Sequence, residues 1–184
     1  MTARLTGFLV VVALQFAILG SVIGYKGYTV ATGETVLLKV VPVDPRSLFQ
    51  GDYVNLAFDI SRLDRTDKQD GVPLYGGRKV YVELVRGDDG YWRLVGVHDK
   101  IEPVADGRVL LKGAVTSDAF APPGDTTVRV EYGIEQVYVP ERSGRAIETS
   151  RAELGLEVKV DRFGNGVARR IFIDGQPYDL RQRP

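Results

Sequence analysis

The sequence predicts a β-dominated domain, an antiparallel sandwich or partly closed barrel of about eight or nine strands, preceded by one N-terminal transmembrane helix. One uncharged apolar segment fills residues 5–25. Beyond it, apolar residues recur at every second position, which is the period of a half-buried strand. The 21 glycines and nine prolines fall mostly between these alternating runs, where the chain must turn.

The apolar segment is the predicted membrane anchor. At about 1.5 Å per residue, residues 5–25 are just long enough to cross a hydrocarbon core of about 30 Å. Arg4 before it and Lys26 after it favour an N-terminus in the cytoplasm, because cationic residues are retained on that side. A cleaved signal peptide is the alternative, but the run is longer than a signal's usual apolar region and no Ala-x-Ala site follows.

These features predict a single-pass protein of the cytoplasmic membrane, with its C-terminal domain in the periplasm or outside. Residues 1–25 form the anchor or an uncleaved signal, 26–34 a short stalk, and 35–180 the extracytoplasmic β-rich domain.

Alternation of apolar and polar residues predicts the strands of this domain. Turn residues at 87–90 and 161–166 predict two hairpins, and only 60–68 and 145–154 have a composition compatible with helix. The predicted strands are Thr35–Val43, Val54–Ile60, Lys79–Arg86, Tyr91–Val97, Val109–Val115, Thr127–Tyr132, Val137–Val139, Leu156–Val160 and Val167–Ile173.

Charge and composition exclude several classes of function. The 24 basic and 24 acidic residues balance, without the basic stripe that phosphate binding requires, so no nucleic-acid partner is expected. The absence of cysteine excludes disulfides, thiolate catalysis and cysteine-ligated zinc. His98 is the only histidine and makes a weak metal ligand alone, so neither a metal nor a cofactor is expected.

The most informative run is DPRSLFQGDYVNLAFDI at residues 44–60. Asp44, Arg46, Asp52 and Tyr53 gather polar groups where a strand begins, and Gly51 permits a positive φ angle. We interpret the cluster as a turn in which Asp52 accepts hydrogen bonds from backbone amides and Arg46 pairs with one of the aspartates. The alternative interpretation is a polar site that binds a partner or a ligand.

A second candidate surface lies around Tyr132, Glu135 and Tyr138, with Arg142 and Arg145. Exposed aromatic residues and arginines are enriched at protein interfaces, so these residues are candidates for partner recognition. The alternative is strand packing followed by a solvated charged loop.

Serine hydrolysis is an alternative, because Gly-Asp-x-Val after an anchor is similar to a motif of membrane-bound signal peptidases. Ser47 would be the nucleophile, but it lacks the Met and Pro that follow the serine in those enzymes. Lys79 would be the base, but it alternates onto the polar side of its strand. No catalytic residue is therefore predicted.

The run at 44–60 closely resembles the GDYXXLXY family of membrane-anchored proteins, whose signature is Gly-Asp-Tyr-x-x-Leu-x-Tyr-x-Ile. Phe58 replaces the second tyrosine, which argues against a direct catalytic role at that position. Residues 132–141 resemble the family's Tyr-Gly-(Ile/Leu)-Glu and Val-Pro-Glu elements, and the hairpin at 166–175 also fits. The positions that match the signature are Gly51, Asp52, Tyr53, Leu56 and Ile60.

The resemblance implies a single-span protein with an extracytoplasmic domain, and it implies no activity. We therefore expect a non-catalytic binding or accessory subunit for an integral membrane or envelope protein, of undefined oligomeric state. The alternative expectation is a membrane-tethered hydrolase or a domain that binds a small ligand or lipid.

Overall fold

The computed structural model describes residues 2–41, 53–64, 72, 74–116, 127–138 and 153–178. Its first element is one long helix, α1 (Thr2–Thr32), long and apolar enough to span a membrane over Leu5–Thr32. Large apolar side chains such as Phe16 and Ile23 are exposed along it. The helix runs through most of residues 26–34, where a short stalk was expected, and leads directly into the first strand.

Behind the helix, the described chain is built from antiparallel strands. One five-stranded sheet has the order β12-β11-β10-β1-β3, the other has the order β4-β8-β7-β5-β6, and β2 pairs separately with β9. The strands are β1 (Glu34–Val41), β2 (Tyr53–Asn55), β3 (Ala57–Phe58), β4 (Arg62–Asp64), β5 (Lys79–Arg86), β6 (Trp92–His98), β7 (Arg108–Thr116), β8 (Thr127–Glu131), β9 (Gln136–Tyr138), β10 (Leu154–Val160), β11 (Gly166–Ile173) and β12 (Gln176–Pro177).

The two larger sheets share one hydrophobic core. Alternate residues of β1, β5, β7 and β10 point inward, as the period of a strand requires. Burying a leucine or valine side chain contributes about 1.5–3 kcal/mol, so this core accounts for much of the fold's stability. Its fully buried members include Val36, Leu38, Leu156 and Val158 from one sheet and Val80, Val82, Leu84, Leu111 and Val130 from the other.

The predicted fold class is therefore confirmed in its sandwich form, because the sheets do not close into a barrel. Both predicted hairpins form: β5 pairs with β6, and β10 pairs with β11. Their turns contain Gly90 at φ 85° and Gly164 at φ 79°, backbone angles that glycine adopts without strain.

One predicted strand was wrong. Val54–Ile60 was expected as a single strand, but the chain forms β2, then β3, then a 3-10 turn at Asp59–Ser61. The backbone changes partner along this segment: β3 pairs with β1 of one sheet, whereas β4, just after the turn, pairs with β8 of the other. The helix considered at 60–68 is likewise replaced by the turn and β4 in its described part. Of the helix considered at 145–154, residues 145–152 lie outside the described part of the chain, and β10 begins at Leu154.

Candidate functional site

The two sequence motifs meet in the fold. β2 from the first motif pairs with β9 from the second, with Tyr53 opposite Tyr138 and Asn55 opposite Gln136. Just beyond this ribbon, the Leu56 amide donates a hydrogen bond of 2.7 Å to the backbone carbonyl of residue 135. The motifs therefore form one structural junction, at the point where the chain crosses between the sheets.

Tyr132 stabilises this junction from the protein interior. Its side chain is 7% exposed, and its hydroxyl donates to the Ile60 carbonyl at 2.5 Å. The Tyr132 amide donates to Glu135 Oε1. Burial raises the pKa of Tyr132 well above its ordinary value, so the hydroxyl remains a donor. The structure thus places Tyr132 in the interior, with its hydroxyl engaged by the protein's own backbone.

Phe58 occupies the position of the family's second tyrosine. It is 1% exposed and is among the largest fully buried side chains in the domain. A tyrosine hydroxyl at this depth would require a hydrogen-bond partner, which phenylalanine does not. This position belongs to the packing of the core.

The rest of the first candidate cluster lies outside the described residues: Asp44, Arg46, Gly51 and Asp52. The turn interpretation, and the hydrogen bonds expected for Asp52, remain predictions. Tyr53 and Tyr138 are placed by their strand pairing alone, and Arg142 and Arg145 lie outside the described residues.

The most developed polar site joins the helix to the sandwich. Asp161, directly after β10, is 5% exposed. Its Oδ2 accepts hydrogen bonds of 3.0 Å from the hydroxyls of Tyr25 and Thr29 on α1, and Thr29 is fully buried. Because one carboxylate oxygen binds two positions a helical turn apart, the end of the helix is fixed against β10. We call this group, together with Asn165, the helix–sandwich lock.

The turn after β10 completes the helix–sandwich lock. Asp161 Oδ1 accepts from the Phe163 amide at 2.8 Å and the Asn165 amide at 2.9 Å, and Asn165 Nδ2 donates to the Tyr25 hydroxyl at 2.6 Å. Burial raises the pKa of Asp161, but the hydrogen bonds from Asn165, Phe163, Thr29 and Tyr25 outweigh it and hold the pKa below its ordinary value. The carboxylate is therefore ionised and saturated with donors.

Gly33 makes the close connection between α1 and β1 possible. Its amide donates to the Thr29 carbonyl at 2.9 Å. A Cβ atom at this position would lie 2.5 Å from that carbonyl oxygen and 2.9 Å from the Val160 carbonyl oxygen. Lys159 Nζ then binds the Gly33 carbonyl at 3.1 Å and Thr35 Oγ1 at 2.7 Å.

A second buried carboxylate lies on the outer side of β5. Glu83 is 8% exposed; Arg108 Nη1 donates to its Oε1 at 2.7 Å, and His98 Nε2 lies 2.9 Å from its Oε2. The hydrogen bonds from Arg108 and then His98 lower the pKa of Glu83. In the described part of the chain, no three histidine or acidic residues are arranged to hold a metal ion.

A cavity of about 510 Å³ opens between this cluster and the helix–sandwich lock. It is bordered by the end of α1, the starts of β1 and β7, the loop before β7 and the end of β10. Its lining carries charges of both signs next to the only tryptophan: Glu34, Trp92, Glu102, Arg108 and Arg162.

The helix also carries a small-residue face that the sequence interpretation overlooked, although the spacing of three and four residues is visible in the sequence. Cβ atoms built at the glycines of this face would meet nothing within 4 Å. At 3.6 residues per turn, it lies roughly 140° around the helix from the lock residues Tyr25 and Thr29. The small-residue face consists of Ala13, Ala17, Gly20, Gly24 and Gly27.

Together these features define a β-sandwich fixed to an N-terminal apolar helix. The sequence model of the GDYXXLXY protein family matches residues 15–171, and the chain belongs to that family. The match begins within α1 and covers both motifs and both sides of the helix–sandwich lock. No curated protein and no solved structure matches the chain.

Proposed function

We propose that this protein is a membrane-anchored, extracytoplasmic β-domain that binds an integral membrane or envelope protein as a non-catalytic accessory subunit. The observation that carries the proposal is the helix–sandwich lock. The hydrogen bonds to Asp161 join the helix to the sandwich, and they support the proposal that both parts act as one unit in binding a partner.

Rigid attachment suits a binding subunit. A flexible stalk lets a domain move freely above the membrane, whereas a locked helix fixes its height and its rotation about the helix axis. The surface that faces a neighbouring membrane protein is then set in advance, which lowers the entropy lost on binding. In this proposal α1 spans the cytoplasmic membrane with its N-terminus inside, as Arg4 favours, and the sandwich lies on the outer side.

The small-residue face of α1 is the proposed contact with a partner's transmembrane helix. Small residues let two helix backbones approach closely, and close van der Waals packing stabilises helix association in lipid. Because the sandwich is held by Tyr25 and Thr29, on a different side of the helix, it leaves this face open.

Affinity purification of the full-length chain in mild detergent, compared across matched variants, tests the proposal. Gly20→Leu with Gly24→Leu places bulk on the small-residue face and should lower recovery of one integral membrane partner by about tenfold, because it prevents close approach. Val22→Leu places the same side chain on another face and should leave recovery unchanged. Recovery of no membrane protein, of only a second copy of the chain, or of equal partner amounts with all variants contradicts the proposal.

The cavity supports a second candidate, a small-ligand-binding domain. Its mixed charges suit a zwitterionic ligand, and Trp92 would report entry of such a ligand by a change in fluorescence. An unchanged Trp92 emission across a panel of zwitterionic ligands contradicts this candidate. The hydrolase alternative depends on Ser47, which lies outside the described residues.

A further inference from the structure

We propose that the turn between β10 and β11 is a second membrane contact, in which Arg162 and Phe163 bind the anionic headgroup layer. This inference rests on the proposed function, because it takes α1 to span the membrane. It adds a specific lipid contact that the anchor alone does not require.

The helix–sandwich lock fixes the depth of the turn. A span of about 20 residues that begins at Leu5 ends close to Tyr25, and a tyrosine there lies at headgroup level. The Tyr25 hydroxyl is hydrogen-bonded to both Asp161 and Asn165, the residues on either side of the turn. Phe163 is two residues from each of them, so its backbone lies within about 7 Å of a group in contact with Tyr25.

The turn is held in one conformation. The Phe163 amide donates to Asp161 Oδ1, and the Gly164 amide donates to the Asp161 carbonyl at 2.9 Å. On its other side, the Lys112 amide of β7 donates to the Gly164 carbonyl at 2.8 Å. The exposure of Phe163 is therefore a property of a packed turn.

The exposed side chains suit an anionic lipid surface. Phe163 is 44% exposed, and the Arg162 guanidinium lies 4.7 Å from its ring centroid. Among the described residues, no carboxylate lies within ion-pair distance of Arg162. Asp161 is buried and engaged by five donors, so its charge is turned inward. An apolar ring next to a cation matches the boundary between acyl chains and anionic headgroups.

The absence of native cysteine allows single spin labels to measure depth in the full-length chain. Three variants carry one label each: Phe163→Cys in the turn, Leu14→Cys in the middle of α1, and Tyr75→Cys on an exposed part of the sandwich. Each is reconstituted into vesicles of phosphatidylcholine, alone or mixed with phosphatidylglycerol. Collision with oxygen and with a water-soluble nickel chelate then reports the depth of each label.

In mixed vesicles the label at 163 should lie at headgroup depth, between the hydrocarbon depth at 14 and the aqueous position at 75. Adding Arg162→Gln should lower the ratio of molecules with a membrane-bound turn to those with an unbound turn by about fivefold. This is the effect of one basic side chain near an anionic surface. The same substitution should change nothing in phosphatidylcholine alone.

The controls separate the two proposals. If the label at 14 is buried while the label at 163 is as accessible as the label at 75, the membrane contact of the turn is wrong and the anchor stands. If the label at 14 is accessible to the nickel chelate, the anchor is wrong, and the turn contact fails with it. Equal depth at 163 in both vesicle types overturns the assignment to anionic headgroups.

Discussion

Replacing Asp161 with asparagine perturbs the helix–sandwich lock most selectively. The substitution keeps the shape of the side chain and leaves Oδ1 able to accept from the Phe163 and Asn165 amides. It replaces Oδ2, which accepts from the Tyr25 and Thr29 hydroxyls, with an amide donor. The two bonds from the helix are therefore changed, while the turn keeps its backbone contacts.

The expected magnitude follows from these two bonds. A hydrogen bond to a charged group contributes about 1.5–3 kcal/mol, so losing two would cost about 3–6 kcal/mol. Both hydroxyls can rotate to accept from the new amide, which recovers part of that loss. We expect Asp161→Asn to lower the free energy of unfolding by about 2–4 kcal/mol, and the melting midpoint by about 2–4 °C for each kcal/mol.

Trp92 provides the assay. It is the only tryptophan and is 5% exposed, so its emission changes when the sandwich unfolds in detergent solution. Asp88→Asn, the same chemical change at an exposed turn, is the matched control and should alter stability by less than about 0.5 kcal/mol. If Asp161→Asn is as stable as the Asp88→Asn control, the helix–sandwich lock does not stabilise the protein.

Two further predictions concern the domain itself. Tyr132→Phe removes the donor to the buried Ile60 carbonyl and should lower the urea midpoint by an amount equivalent to about 1–3 kcal/mol; an unchanged midpoint refutes this stabilising role. Arg108 and His98 lower the pKa of Glu83, so the folded state binds fewer protons there than the unfolded state. This stability is complete above the unfolded glutamate pKa of about 4.3 and is lost as the pH falls through the lower folded value. Glu83→Gln should therefore reduce the loss of unfolding free energy at acid pH, measured by Trp92 emission. An unchanged slope of unfolding free energy against pH would show that Glu83 does not contribute to it.

The long strands could be predicted because their determinants are local. β5 occupies the predicted range, Lys79–Arg86. The alternation of apolar and polar residues along it predicts directly that Val80, Val82 and Leu84 are buried. The crossing at Val54–Ile60 could not be predicted in this way. Its alternation continues while the backbone changes partner, and the partner is decided by strands far away in the sequence.

The helix–sandwich lock was missed for the same reason. Asp161 and Asn165 stand in a turn whose composition is ordinary for a hairpin, and Thr29 stands where a stalk was expected. Only the fold brings these residues together, because β10 pairs with β1 and so ends beside the exit of the helix. The small-residue face, in contrast, follows from the spacing of its residues in the sequence. Predicting all of it requires only that the helix continue past Tyr25.

We expect the helix and the sandwich to move as one body, because the helix–sandwich lock joins them. The most direct test is the distance between spin labels at Ile18→Cys on the helix and Val95→Cys on the sandwich, both exposed positions, measured by pulsed electron resonance in vesicles. A locked junction predicts one narrow distance distribution, which broadens when Asp161→Asn is added. A broad distance distribution in the chain with Asp161 intact would show that the helix and the sandwich move independently.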